Sequence, residues 1–200
     1  MGRPAKDGEL VQIVDAALAD AARRAGPWLV CRVGCTQCCH GAFAINALDA
    51  ERLRSGMDVL RAANPALVER IESRARTWVE EFGAEFPGDL VTGFLGETNE
   101  EQERFGSFAE DAACPALDPD TGSCDVYAWR PITCRVFGPP VRMDSADGAG
   151  LGHCELCFQG ASEAEVAACE MAVPHALEAE VAAQLVEPRE TVVALALLRK

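Results

Sequence analysis

No apolar run in this 200-residue chain approaches the length needed to cross a bilayer. The opening segment, MGRPAKDGEL, is polar from its first residues and lacks the apolar stretch and cleavage site of a secretory signal. Its Met-Gly start carries Lys6 where a myristoylation signal needs Ser or Thr. The expected location is cytoplasmic, with no membrane partner. Positive charge is scarce as well: 18 Lys and Arg stand against 32 Asp and Glu, a formal net charge of −14, with no basic run. Such a surface repels phosphate and forgoes the counterion release that drives nucleic-acid binding, so no nucleic-acid partner is expected. Any partner is left as an unidentified protein or small molecule. No Ser/His/Asp arrangement or carboxylate pair stands out, which leaves catalytic residues, and enzyme status itself, unassigned. Internal repeats and low-complexity linkers are also missing. With a hydrophobic fraction of 49%, residues 1–200 read as one domain.

What the chain has is cysteine: ten in all. In a reducing compartment that number indicates metal or thiol chemistry rather than a disulfide framework. Cys31, Cys35, Cys38 and Cys39 form C-x3-C-x2-C-C within CRVGCTQCCH; Cys114, Cys124 and Cys134 follow as C-x9-C-x9-C; Cys154 and Cys157 make C-x2-C.

Periodicity gives a mainly α fold, a single helical domain framing a cysteine-rich loop core with a small β-hairpin. Leu10, Val11, Ile13, Val14, Ala17, Leu18, Ala21 and Ala22 mark a helix over 9–25 that stops at Gly26-Pro27. Residues 42–45 suit a short strand, and Asn46 caps a helix ending near Gly56. Asn64-Pro65 starts a longer helix whose apolar face runs to Phe82, before Gly83. Residues 83–110 lack a clean period and read as loop with one helical turn. Within 111–142, the turn at 118–122 (DPDTG) links two short antiparallel pieces. Residues 142–152 read as loop, Ser162 with Glu165 as a capping box for a helix over 162–173, and 175–186 and 189–200 as two further helices.

On this layout nine of the ten cysteines lie in loops, where backbone turns can aim thiolates at one point. Cys169 falls within an Ala-rich helical pattern and reads as packing. A C-x2-C pair is a common half of a tetrahedral zinc site, and Cys35/Cys38 with Cys154/Cys157 would complete one. Adjacent Cys38 and Cys39 are expected to point apart and to share one ion poorly. Closely spaced loop thiolates are instead the usual signature of an iron–sulfur cluster, so that cofactor leads and zinc is the alternative.

The ordered set Cys35-x2-Cys38-Cys39 with a preceding cysteine, then Cys114-Pro115, Cys124, Tyr127, Arg130-Pro131 and Cys134-Arg135-x-Phe137 resembles the YkgJ-type cysteine-cluster family. Those proteins are also known as CxxCxxCC zinc- or iron-chelating domains; the resemblance covers a core motif over 31–137, with a first spacing of three residues here. It implies a metal-binding protein with Cys35, Cys38, Cys39, Cys114, Cys124 and Cys134 as principal ligands. Cys31, Cys154 and Cys157 join them on spacing. The domain also resembles part of flagellin lysine N-methylases, which implies an enzymatic possibility, though this chain is too short to carry everything such an enzyme has; the expected function is a cluster-bearing redox or methyl-transfer component, with a zinc-stabilised interaction module as the alternative. Arg130 and Arg135 are candidates to offset the charge of an anionic thiolate centre. Tyr127 and Trp129 are expected to cover it. His40 and His153 adjoin cluster cysteines by position. The 31–38 spacing also matches the radical SAM cluster loop, but the chain lacks that family's strand–helix alternation. GAGLG at 148–152 imitates a nucleotide loop without its strand and helix, and reads as a flexible turn. Dithiol redox chemistry at either C-x2-C pair lacks a thioredoxin-like βαβ context.

Overall fold

The computed structural model describes residues 4–145, 148–185 and 189–199. Its helices are α1 (Asp7–Ala25), α2 (Ala47–Ala63), α3 (Pro65–Phe82), α4 (Asn99–Phe105), α5 (Ile132–Val136), α6 (Glu163–Ala168), α7 (His175–Ala182) and α8 (Val193–Leu198). The strands are β1 (Ala44–Ile45), β2 (Gly88–Asp89), β3 (Phe94–Leu95), β4 (Leu117–Asp118), β5 (Ser123–Cys124), β6 (Val141–Ser145), β7 (Gly148–Gly152) and β8 (Thr191–Val192). The chain is mainly helical, as its periodicity indicates. Among the described residues the strands form only antiparallel pairs: β1 with β8, β2 with β3, β4 with β5, and β6 with β7. No helix among the described residues is long and apolar enough to cross a membrane.

The described residues gather into two compact units, one drawn from Gly34–Pro131 and Ala182–Lys200, the other from Pro4–Val33 and Ile132–Val181. In the first, the Asn46 side chain accepts the Asp49 N–H at 2.9 Å and starts α2. Asn64 then ends α2 and, accepting the Leu67 N–H at 3.2 Å, caps α3 with Pro65 in its first turn. The expected stop at Gly56 does not occur. A buried helix face carrying Leu53 and Met57 outweighs the roughly 1 kcal/mol that one interior glycine costs. That face packs on Val68, Ile71 and Ala75 of α3 and on Val193, Ala196 and Leu197 of α8. A neighbouring aromatic group sets Trp78 edge-on to Phe108 at 5.7 Å and Phe86 edge-on to Phe108 at 5.9 Å.

Residues 83–110 contain more structure than their aperiodic sequence indicates. β2 and β3 form a hairpin, and Thr98 with Glu101 makes a reciprocal capping box for α4. The expected helix over 189–200 begins later: Thr191 and Val192 first pair with Ile45 and Ala44, and α8 follows.

In the second unit α1 packs on α5. The 142–152 loop reading is corrected by the hairpin β6–β7, in which Arg142 faces Leu151 and Met143 faces Gly150; residues 146–147 lie outside the described ones. GAGLG is therefore a strand rather than a flexible turn. Ser162 and Glu165 form the anticipated capping box, yet α6 stops at Ala168 and leaves Cys169 at its end. Of the expected helix over 175–186, α7 covers His175–Ala182, and residue 186 lies outside the described residues.

A Cβ on Gly56 would sit 2.4 Å from Trp129 Cγ, closer than packed atoms approach. Helix propensity alone predicts that Gly56→Ala stabilises by about 1 kcal/mol, whereas overpacking costs about 1–3 kcal/mol. The contact wins here: urea unfolding of Gly56→Ala is expected to show a net loss of up to about 2 kcal/mol. A rise in stability would contradict the packing of Trp129 on α2.

Candidate metal centre

No disulfide joins any of the ten cysteines. Cys35, Cys38, Cys39, Cys114 and Cys124 belong to the first unit, and Cys31, Cys134, Cys154, Cys157 and Cys169 to the second.

In the first unit a tight turn over Gln37–Cys39 is closed by the Cys39 N–H donating to Thr36 O at 2.7 Å. The chain then runs antiparallel to residues 112–114. The Cys114 N–H donates to Cys39 O at 2.7 Å, the Gly41 N–H donates to Ala112 O at 2.8 Å, and His40 lies opposite Ala113. Cys114 O accepts the Leu117 N–H at 2.9 Å, and β5 sets Cys124 opposite Leu117. The connecting turn is held by Asp118, whose carboxylate accepts the Asp120 N–H at 3.1 Å and the Thr121 hydroxyl at 2.8 Å. From α3, Arg74 donates to Pro115 O at 2.8 Å and to the Asp125 carboxylate at 2.5 Å, tying both ends of this hairpin to the helix.

The sulfurs so gathered influence one another. Cys38 and Cys39 share a side-chain hydrogen bond, so the two adjacent thiols face each other, contrary to the expected divergence. That bond, opposed by burial and aided by a backbone N–H and the Arg130 charge, lowers the Cys38 pKa to about 6. The same bond, then burial, then the charges of Cys38, Cys114 and Cys124 push Cys39 far up. Burial also raises Cys114 to about 12, and raises Cys124. One sulfur of the four is thus a ready anion, and the other three need a bound cation to release their protons at neutral pH. Cys35 stands in the same segment, just before Thr36.

Arg130 lies with its guanidinium carbon 3.9 Å from the Tyr127 ring centroid, donates to Tyr127 O at 3.0 Å, and acts electrostatically on Cys38 and Cys124. Trp129 packs on α2, and Tyr127 is exposed. A cleft of about 720 Å³ opens beside Cys114, lined by Arg74, Thr77, Trp78 and Glu81 of α3 and by Asp111 and Pro115 opposite.

In the second unit the Cys157 N–H donates to Cys154 O at 2.9 Å, closing the C-x2-C turn. Both residues are buried with Cys169, against Ala25 and Phe158. Cys134 lies on α5 rather than in a loop. Its neighbour Arg135 is buried and donates to both carboxylate oxygens of Asp15 at 2.6 Å. His153 has its Nδ1 3.1 Å from Cys154 O and its ring 5.2 Å from that of Phe158. Cys169, read from the sequence as packing, is buried in this apolar cluster at the end of α6.

Among the described residues, no three His, Cys, Asp or Glu side chains converge on one point at ligating distance. The donor set is nonetheless that of a soft, thiolate-preferring metal, iron or zinc, and four of the first unit's five cysteine sulfurs, those of Cys38, Cys39, Cys114 and Cys124, act on one another electrostatically. Fold and donors together define a thiolate-rich metal-chelating domain. The CxxCxxCC family, described as "Putative zinc- or iron-chelating domain", matches residues 30–157, and the chain belongs to that family. The match extends past the 31–137 motif to Cys157 and leaves Cys169 outside. None of the curated proteins or solved structures compared with the chain matches it.

In the reduced, metal-free protein, alkylation with mass mapping is expected to label Cys38 first among the four. Its rate rises through pH about 6 and levels off above that, because a lowered pKa fills the thiolate early. An ordinary thiol climbs on toward about 8.5. Preferential labelling of Cys39 would reverse the assignment of the shared proton.

Proposed function

We propose that the protein carries a cysteine-ligated iron–sulfur cluster on Cys38, Cys39, Cys114 and Cys124 and serves as a redox component. The observation that carries this reading is the adjacent pair. Cys38 and Cys39 act on each other, Cys114 and Cys124 act on Cys39, and Cys38 acts on Cys114 and Cys124, so four sulfurs from three segments lie within electrostatic reach of one another. Two adjacent residues chelating a single ion must close their ring around a rigid trans peptide unit, whereas a cluster offers each sulfur its own iron. When bound, such a cluster supplies one-electron transfer at a potential set by nearby charge and hydrogen bonds.

The chain's own residues have separable tasks under this reading. The Cys39–Cys114 backbone bond fixes the spacing of two ligands. Arg74 holds the segment bearing Cys114 and Cys124 to α3. Arg130 brings a positive charge to sulfurs that become anions on binding. The cleft beside Cys114 is where a small-molecule partner would approach.

Protein purified without oxygen should be brown, contain iron and acid-labile sulfide in matching amounts, and bleach on reduction. Cys114→Ser should lose the colour. Arg130→Gln should keep the iron and shift the reduction potential to a more negative value, because a cation that favours the reduced, more anionic cluster is gone. Colourless protein containing zinc and no sulfide would overturn the reading.

A further inference from the structure

The cleft beside Cys114 lies wholly within the first unit, and we infer that it takes a small organic cation, an ammonium group carried on an apolar chain or ring. This deepens the reading of the cleft as the approach for a small-molecule partner, and it holds whichever metal the thiolates carry.

At about 720 Å³ the cleft is of the size of small-molecule sites, which run from roughly 300 to 1,000 Å³. One wall is a single face of α3. Arg74, Trp78 and Phe82 follow one another at four-residue spacing, as do Thr77 and Glu81, so all five side chains lie along one stripe. The Trp78 and Phe82 ring centroids are 5.3 Å apart, with Trp78 buried and Phe82 half-buried. These rings form an apolar base whose π faces attract a cation.

The opposite wall is the segment leading to Cys114. Phe108 and Ala112 are buried, and the Ala112 N–H donates to Ala109 O at 3.0 Å, closing a turn that leaves Glu110 and Asp111 exposed. Ala109 holds a φ of +49°, a left-handed conformation uncommon for a residue with a side chain. From beneath, the Gly41 N–H donates to Ala112 O at 2.8 Å, and a Cβ at Gly41 would lie 3.1 Å from Glu110 O. The backbone that carries the two carboxylates is thus held against the interior of the unit.

Charge selects the occupant. Four charged side chains line the cleft: Arg74, Glu81, Glu110 and Asp111. The Arg74 guanidinium is engaged by the Asp125 carboxylate at 2.5 Å and by Pro115 O at 2.8 Å. Among the described residues no basic side chain forms an ion pair with Glu81, Glu110 or Asp111. Three carboxylates above an aromatic base repel an anion and give a neutral molecule no charge partner. An apolar-bodied cation meets both the rings and the carboxylates, and a cleft lined by one sign of charge concentrates such ions. Cys114 lines the same cleft, so the seated cation lies beside a sulfur of the proposed metal centre.

The test is titration calorimetry of the full-length protein as purified. Phenethylamine and hexylamine are compared with phenethyl alcohol and hydrocinnamate, an uncharged and an anionic molecule of similar body. Both amines are expected to bind at least about tenfold more tightly than either control. Combining Glu81→Gln, Glu110→Gln and Asp111→Asn should lower amine affinity about tenfold. Thr77→Trp, which fills the cleft from an exposed position on α3, should abolish binding. Failure of both amines to bind, equal binding of phenethyl alcohol, or unchanged amine affinity in the variants overturns the proposal. Where the combined variant fails to fold, Thr77→Trp decides alone. Amine binding by colourless, zinc-containing protein retains the cleft and discards the redox reading. Brown protein with iron and sulfide that binds neither amine does the reverse.

Discussion

A short stretch of backbone pairing governs the first unit: residues 39–41 run antiparallel to 112–114, sealed by the Cys114 N–H on Cys39 O and the Gly41 N–H on Ala112 O. Between these segments the chain makes β1, the α2–α3 pair, the β2–β3 hairpin and α4. Closing so long a loop costs entropy, and two hydrogen bonds with an isolated bridge return little of it. The burial of α2, α3 and α8 against one another supplies the rest. Helix packing therefore sets the positions from which the cysteine segments meet. Arg74 is the physical link, since its backbone belongs to α3 and its guanidinium to the hairpin that bears Cys124.

The electrostatics follow from that meeting. Several thiols in one partly buried region of an acidic chain resist ionisation together, and a single proton shared between Cys38 and Cys39 is the metal-free compromise. A metal removes the conflict by supplying positive charge at the point of greatest resistance, so binding and local order are coupled. Arg130, stacked on Tyr127, is a fixed cation acting on these sulfurs. Arg135, the other arginine that the motif singles out, is engaged with Asp15 inside the second unit.

Much of this was legible in the residues. Asn64-Pro65 announced α3, and its end at Phe82 agrees with the apolar period. The DPDTG turn announced β4–β5, because Asp and Gly there have local bonding and backbone roles that few residues share. The spacing of Cys35, Cys38, Cys39, Cys114 and Cys124 marked the thiol array. What stayed hidden was set by distant partners. Gly56 looks like a helix end until Trp129 is seen against it. Thr191 and Val192 carry no mark of their pairing with Ile45 and Ala44. Nothing local tells Cys38 and Cys39 to turn toward each other, and Cys169 joins Cys154 and Cys157 only because α6 ends before the alanine pattern does.

The central claim is that adjacent thiols in the first unit share a cluster rather than one ion. X-ray absorption at the iron edge of anaerobically purified protein tests it most directly. Sulfur-only coordination accompanied by an iron–iron vector is the predicted result. A sulfur-coordinated metal with no metal–metal vector would contradict it and leave a mononuclear centre.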